Sequence, residues 1–186
     1  GDRALAANTG GFSNSAFGNH ALFSTTIGTN NTATGNKALY TNRDGGSNTA
    51  NGSYALYRNT IGGNNTGVGV LALASNRTGG GNTATGSGAM RFNTTGFVNT
   101  ATGNRALYSN TTANYNTANG SEALFANTTG QRNKACGYRA LRSNTTGSRN
   151  IAVGAYAGAN LTTGSDNIAI GNRGVARDGA TIRIGA

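Results

Sequence analysis

The sequence predicts an all-β parallel β-solenoid of about eleven stacked coils, because one residue pattern recurs every 17 residues without a gap. If Asn14 is taken as repeat position 1, each further step of 17 residues up to Asn167 reaches another Asn. Repeat position 5 is Gly in every one of these repeats, and repeat position 8 is Ala from Ala4 to Ala157. Such a unit is too short for the helix pairs or propeller blades of other repeat folds, which need about 34 and about 40 residues.

The repeat consensus, N-T-A-x-G-x-x-A-L-x-x-N-T-T-G-x-x, predicts where each coil extends and where it turns. The segment 32–34 predicts a short strand, and Gly35 then lets the chain turn with a positive φ at no steric cost. The segment 38–40, Ala-Leu-Tyr, predicts a second strand, and residues 42–45 form the second corner. Proline is absent from the sequence, as expected if every coil donates ladder hydrogen bonds to its neighbours.

The Asn column at repeat position 1 has a structural interpretation. Stacked Asn side chains hydrogen-bond from coil to coil as an amide ladder, and Asn tolerates left-handed turn conformations. An Asn-lined ligand track is the functional alternative. The predicted ladder consists of Asn31, Asn48, Asn65, Asn82, Asn99, Asn116, Asn133 and Asn150.

The small residues predict a thin solenoid with a modest core. Ala at positions 3 and 8 implies that opposite walls of the coil approach closely, and the sequence leaves open whether Leu39 and its equivalents face this interior or another chain. Ordering the backbone costs about 1–2 kcal/mol per residue. Because a coil holds little more than one Leu and two Ala against that cost, we expect self-association along the length of the rod.

The chain is predicted to be a single repeat domain over residues 1–186. Residues 1–149 carry the regular N-T-A-x-G repeats, and residues 150–186 change to N-I-A-[VI]-G coils, with a last step of only 14 residues from Asn167 to Thr181. No run of 18 apolar residues is present, so we expect this fragment not to contact a membrane. No signal peptide is visible, and we expect the fragment to be cut from a longer array.

The side chains needed for catalysis are missing. The only histidine is His20 and the only cysteine is Cys136, so the chain cannot assemble a metal cluster or a nucleophile–base pair. The acids fall at differing repeat positions and make no paired-carboxylate site. The five acids are Asp2, Asp44, Glu122, Asp166 and Asp178. We therefore expect a protein that is not an enzyme and has no cofactor.

The net charge of +10 has a pattern of its own. Basic residues at repeat position 7 recur in alternate coils, which stacking would place on one edge roughly 10 Å apart. This row consists of Arg3, Lys37, Arg105, Arg139 and Arg173, with Leu71 in the one gap. It is a candidate polyanion-binding row for acidic polysaccharide, lipopolysaccharide or nucleic acid, and the alternative is a solvated edge that guards against stray association. We do not expect nucleic acid as a partner, because aromatic residues interleave only weakly with the row.

A second row suggests a rival function. Repeat position 2 is Thr in six successive coils, and three coils also have Thr at position 4. The position-2 row runs through Thr32, Thr49, Thr66, Thr83, Thr100 and Thr117. A flat Thr-x-Thr array would suit an ice-binding solenoid, but the array is interrupted. The interrupting residues are Phe17, Asn51, Val68, Asn119, Lys134 and Ile151.

The last coils carry a family resemblance. Residues 150–154 (Asn-Ile-Ala-Val-Gly) and 167–171 (Asn-Ile-Ala-Ile-Gly) resemble the repeat of the YadA-like heads of trimeric autotransporter adhesins. The resemblance implies a left-handed parallel β-roll that forms a homotrimer, and an extracellular position on the bacterial surface with an outer-membrane anchor outside this fragment. The 17-residue period is longer than the usual coil of these heads, and N-T-A-T-G replaces the apolar strand elsewhere.

The resemblance and the periodicity together favour an adhesin head or passenger domain. It would attach to host matrix, to glycans or other acidic surface ligands, or to other cells by multivalent display of weak coil edges. The first alternative is a structural spacer or tail-fibre-type repeat without a ligand, and the second is the ice-binding solenoid. No ligand-binding motif of the family maps onto individual residues here.

Overall fold

The computed structural model describes residues 1–185, and Ala186, the last residue of the predicted domain, lies outside them. Three-residue strands, one to each coil, form a single parallel sheet in which the order of the strands is their order along the chain. The prediction of an all-β parallel β-solenoid is confirmed. The strands are β1 (Ser15–Phe17), β2 (Thr32–Thr34), β3 (Thr49–Asn51), β4 (Thr66–Val68), β5 (Thr83–Thr85), β6 (Thr100–Thr102), β7 (Thr117–Asn119), β8 (Lys134–Cys136), β9 (Ile151–Val153), β10 (Ile168–Ile170) and β11 (Ile182–Ile184).

The register stacks equivalent repeat positions directly on one another. Thr83 of β5 pairs with Thr100 of β6, which is 17 residues further along the chain. In the shorter last coil Ile168 pairs with Ile182, so the step of 14 residues read from the sequence is the register of the sheet. Residues that share a repeat position therefore form columns along the rod.

The predicted second strand at residues 38–40 is wrong, because this side of the coil is a series of turns. Lys37 and Leu39 have φ values of 54° and 51°, in the left-handed region that side chains usually avoid. The coils still bond to each other here, since the Leu39 N–H donates to the Ala55 carbonyl at 3.0 Å. Inter-coil hydrogen bonding therefore continues around the coil, although only one of its sides is a sheet.

The left-handed Leu residues turn their side chains inward. Leu39, Leu56 and Leu107 are completely buried, together with the Ala residues of repeat positions 3 and 8. Burial of a Leu side chain contributes roughly 1.5–3 kcal/mol, which offsets the cost of about 1–2 kcal/mol for its backbone conformation. The open question about the Leu column is thereby answered: it faces the interior.

The interior stays filled in the coil where the repeat pattern changes. In the coil after β9, position 9 is Gly158 instead of Leu, and position 12 is the buried Leu161 instead of Asn. A Cβ placed on Gly158 would lie 3.2 Å from Cδ1 of Leu161. The Leu161 side chain therefore occupies the space that position 9 leaves empty.

The Gly column at repeat position 5 marks a close approach between the backbones of neighbouring coils. Gly103 has a φ of 133°, and a Cβ at this residue would lie 2.6 Å from the carbonyl carbon of Gly120 in the next coil. Both the backbone conformation and the neighbouring backbone exclude a side chain at this corner. The prediction that this Gly column turns the chain with a positive φ is confirmed.

Candidate binding surfaces

The Asn residues of repeat position 1 lie inside the solenoid and form a continuous hydrogen-bonded ladder. Asn65 Nδ2 donates to Asn48 Oδ1 at 3.2 Å and to the Gly79 carbonyl of its own coil at 2.8 Å. The Asn65 backbone N–H donates to the same Asn48 Oδ1 at 3.0 Å. These side chains are buried along the rod. The column therefore closes the corner of each coil, and it is not a ligand track.

A second Asn ladder, at repeat position 12, runs beside the first and was not predicted as one. Asn76 Nδ2 donates to Asn59 Oδ1 at 2.7 Å and to the Gly79 carbonyl at 2.9 Å. That carbonyl accepts from Asn65 as well, so two ladders meet on one oxygen in each coil. The Asn that recurs at position 12 of the consensus could have indicated this ladder. The carbonyl to which it bonds, at position 15, comes close only when the coil closes.

The position-12 ladder is interrupted at Thr25. Its hydroxyl is completely buried, and it is the one buried side-chain polar atom among residues 1–185 without a hydrogen-bond partner. The shorter side chain does not reach Nδ2 of Asn42 in the next coil, and this nitrogen donates only to the carbonyl of Gly45. Thr25 is thus a local defect in the interior.

The predicted polyanion row lies along one edge of the rod, at the first turn after each strand. Arg3, Arg105 and Arg173 are exposed, whereas Lys37 and Arg139 are half-buried. The alternate coils place other side chains in the same column. These intervening residues are His20, Tyr54, Gly88, Glu122 and Tyr156.

The aromatic interleaving expected to be weak is in fact extensive along this edge. Lys37 Nζ lies 5.5 Å from the centre of the Tyr54 ring. The Arg139 and Arg173 guanidinium groups lie 5.9 Å and 4.9 Å from the Tyr156 ring, one on each neighbouring coil. The row is therefore an alternation of cations and rings, which sequence reasoning missed because the rings fall at several repeat positions.

Aromatic side chains at repeat position 10 stack beside the row. Phe23 and Tyr40 lie 5.1 Å apart with almost parallel rings, and Tyr40 and Tyr57 lie 5.3 Å apart. Tyr108 and Phe125 form a second stack further along the rod, at 5.1 Å. Ala74 and Arg91 separate the two stacks. The edge thus presents a basic and aromatic surface whose spacing is set by the coils.

Some of the charge of this edge is neutralised internally. Glu122 accepts hydrogen bonds from Arg139 Nε at 2.8 Å and from Arg142 Nε at 3.0 Å. The bond from Arg142, and then that from Arg139, hold the pKa of the Glu122 carboxyl below its ordinary value, against the opposing effect of burial. In the same way Arg183 lowers the pKa of Asp178 near the C-terminal end.

The outward face of the sheet is a second surface, and its first part is rich in Thr. In β6 the side chains of Thr100 and Thr102 are exposed on either side of the buried Ala101. The parallel register places them beside Thr83 and Thr85 of β5. From β2 to β7 the Thr residues of position 2 therefore form one outward column, and β2, β5 and β6 add a second Thr at position 4.

The last part of the same face is apolar. Ile182 and Ile184 of β11 are 66% and 71% exposed, and Ile151, Val153 and Ile170 of β9 and β10 are exposed as well. Cys136 of β8, a free thiol, lies exposed where the polar part of the face meets the apolar part. The change of chemistry coincides with the sequence boundary at residues 149 and 150.

Among residues 1–185, no cluster of three or more His, Cys, Asp or Glu side chains is arranged to hold a metal ion. His20 packs against Phe23, with ring centres 5.1 Å apart, and its Nδ1 lies 2.6 Å from Asn19 Oδ1. In the same stretch of chain, no helix has the length and apolar character needed to cross a bilayer.

A search of family models, of curated proteins and of solved structures finds no match to this chain.

Proposed function

We propose that this chain is a rod for surface attachment, the head or passenger segment of a secreted bacterial adhesin that is displayed outside the cell. The observation that carries the proposal is the separation of inner from outer columns. The inner Asn, Ala and Leu columns are buried and closed to ligands. The outer columns hold their side chains in a fixed register, with Thr at position 2 from β2 to β7 and a cation at position 7 in most alternate coils.

Multivalency supplies the affinity in this proposal. One cation with one or two neighbouring rings makes a weak site. Stacking repeats that site at intervals of about 4.8 Å or its multiples, so a polymeric ligand engages several sites together. The partners we propose are matrix proteins, glycans and other acidic surfaces. We propose no catalytic step and no cofactor.

Attachment of the fragment to coated surfaces tests the proposal. Fluorescently labelled protein is applied to wells coated with heparin, with matrix proteins or with cultured cells, at several salt concentrations. We expect saturable binding that weakens as salt rises, because exposed charges are screened. The double variant Arg105→Ser/Arg139→Ser is compared with Arg132→Ser/Arg177→Ser, which removes the same charge away from the row. No binding of the wild type to any surface would favour the spacer or tail-fibre alternative.

The proposal includes a left-handed coil and a homotrimer, as the resemblance to YadA-like heads implies. The support for self-association is the exposed apolar end of the sheet face at β9 to β11. Flat faces of β-branched side chains fit one another well, and burying them removes apolar surface from water. Because this patch spans only three strands, we expect weak, concentration-dependent association.

Ice binding is a second candidate, favoured by one observation. In β5 and β6 the Thr hydroxyls stand in two parallel columns on a flat, exposed face. The array is broken at position 4 by Asn51, Val68 and Asn119. Thermal hysteresis of the purified fragment tests this function: a freezing point below the melting point supports it. Equal freezing and melting points remove it.

A further inference from the structure

The stretch between Asp44 and Glu122 contains four arginines and no acid. Two of them, Arg58 and Arg77, are exposed, and within residues 1–185 neither forms an ion pair. Arg91 is also free of carboxylate partners in that part of the chain, and its Nη1 lies 3.2 Å from the Tyr108 hydroxyl. Uncompensated positive charge is therefore concentrated in the middle coils of the rod.

Two of these arginines line a groove that follows repeat positions 11 and 13 over successive coils. A depression of about 510 Å³ is lined by Arg58, Arg77 and Phe92, with hydroxyls of Ser75 and Ser109 at its sides. It continues into a smaller hollow of about 280 Å³, where Ala74 is flanked by Tyr57 and Arg91. We call this the Ala74 groove. Its defining residues are Tyr57, Arg58, Ala74, Arg77, Arg91 and Phe92.

The groove exists because the aromatic column is interrupted. Position 10 carries stacked rings up to Tyr57, but the next coil has Ala74, and the coil after that has Arg91. Two coil steps, about 10 Å, separate Tyr57 from Arg91 at this position. Rings elsewhere in the column stack 5.1 Å and 5.3 Å apart. The column therefore lacks a ring at Ala74, which is itself buried, and the hollow of about 280 Å³ lies where that ring is missing.

We propose that the Ala74 groove binds an acidic glycan, a sugar chain that carries carboxylate or sulfate groups. The apolar face of one sugar ring packs against the rings of Tyr57 and Phe92, and its acidic groups accept hydrogen bonds from Arg58 and Arg77. Guanidinium groups bind such anions with two parallel hydrogen bonds, and an apolar floor with a few polar groups is typical of ligand sites. The three guanidinium groups span only a few coils, which suits two or three charges rather than the long series of phosphates in a nucleic acid.

This inference rests on the proposed attachment function. It assigns a class of ligand to that function, at residues that lie outside the polyanion row. The probe is a heparin tetrasaccharide, titrated calorimetrically against the intact fragment. Maltotetraose serves as the uncharged comparison, and a thymidine octanucleotide serves as the nucleic-acid comparison. We expect the wild type to bind the heparin tetrasaccharide most tightly.

Two variants locate the site. Arg58→Gln/Arg77→Gln is expected to weaken tetrasaccharide binding about tenfold or more, as loss of charge-assisted hydrogen bonds does. The matched control Arg132→Gln/Arg177→Gln removes the same two charges elsewhere and is expected to change the affinity less than about twofold. Ala74→Tyr extends the ring stack into the gap and is expected to abolish binding while the melting temperature stays unchanged or rises.

Each outcome is decisive. If Arg58→Gln/Arg77→Gln and Arg132→Gln/Arg177→Gln lose the same affinity for the tetrasaccharide, the proposed site is refuted. Binding would then be non-specific attraction to a basic rod. Tighter binding of the octanucleotide than of the tetrasaccharide would overturn the glycan in favour of nucleic acid. If the variants bind the tetrasaccharide like the wild type while the fragment still attaches to coated surfaces, this site fails and the attachment function survives. If the wild type binds neither, both fail.

Discussion

Two parts of the sheet share one interior and differ completely outside. In β6 the outward side chains are Thr100 and Thr102, around the buried Ala101. In β9 they are Ile151 and Val153, around the equally buried Ala152. The hydrogen-bonded register continues unchanged from one part to the other through β7 and β8.

The difference teaches which columns determine the fold. Stacking Thr on Thr and stacking Ile on Ile support the same coil, so the outward positions do not select it. The inner Asn column of position 1, the Ala column of position 3 and the Gly column of position 5 continue from β6 into β9 and β10, and they carry the constraint. The outward columns are free to vary, with a polar face over β2 to β7 and an exposed apolar face over β9 to β11.

The largest expected effect on stability comes from the Gly column of position 5, because Gly103 in the regular coils and Gly171 near the end have different surroundings. Gly103→Ala is expected to destabilise the protein by about 3 kcal/mol or more, because its Cβ would collide with the backbone of Gly120 at a φ that favours Gly. Gly171 has a φ of 60°, and a Cβ there would meet nothing within 4 Å. Gly171→Ala, the matched control, is expected to cost about 1 kcal/mol. Urea unfolding followed by circular dichroism measures both, and equal losses would contradict the close approach of the coils.

The second prediction concerns the buried ladder of the polar part. Asn93 donates to Asn76 Oδ1 and to the Gly96 carbonyl, and its own Oδ1 accepts from Asn110. Asn93→Ala leaves buried polar groups without partners and is expected to cost about 2–4 kcal/mol. Thr95→Ala, on the exposed surface of the same coil, is the control and should change stability by less than about 0.5 kcal/mol. A small loss for Asn93→Ala would mean that the amide ladder is dispensable.

The third prediction repairs the defect at the N-terminal end. Thr25→Asn supplies an amide that can bond to Asn8 and Asn42 along the position-12 column, and it removes the unpaired buried hydroxyl. We expect a gain of about 1 kcal/mol and a higher melting temperature. Thr25→Val, which removes the hydroxyl without adding an amide, separates the two contributions. A loss of stability in Thr25→Asn would show that the ladder does not extend to the first coils.

The smallest expected effect is a dependence of the melting temperature on pH. The Arg142 and Arg139 hydrogen bonds hold the pKa of Glu122 below its ordinary value, so this ion pair stabilises the fold fully above about pH 4.3, the ordinary Glu pKa. The contribution decreases as the pH falls through the lowered pKa of the folded state. The melting temperature of the wild type should therefore approach that of Glu122→Gln between about pH 5 and pH 3. A constant difference across this range would contradict the assignment.

The repeat period, the strand position and the Gly turn could be predicted because each leaves an exact trace in the spacing of residues. The turn at Lys37 and Leu39 could not be predicted, because neither side chain favours a positive φ, and the conformation follows from closing a thin coil. The inward direction of the Leu39 side chain could not be predicted either, because it follows from the same positive φ.

The outer surfaces were predictable only in part. Spacing by multiples of 34 residues placed Arg105 and Arg139 in one column, but not the aromatic rings beside them. Tyr156 contacts Arg139 and Arg173 because these residues lie on the two neighbouring coils. A pattern within one repeat does not predict such contacts between coils. The Ala74 groove depends on one missing ring in a column, and a consensus hides such single departures.

The most direct test of this division between inner and outer columns converts one part of the face into the other. Four substitutions, Ile168→Thr, Ile170→Thr, Ile182→Thr and Ile184→Thr, give β10 and β11 the outward residues of β6. By sedimentation velocity over a range of concentrations, we expect the wild type to associate towards a trimer and the variant to stay monomeric, with the same circular dichroism spectrum. A variant that still associates, or one that loses the β-solenoid spectrum, would contradict the account.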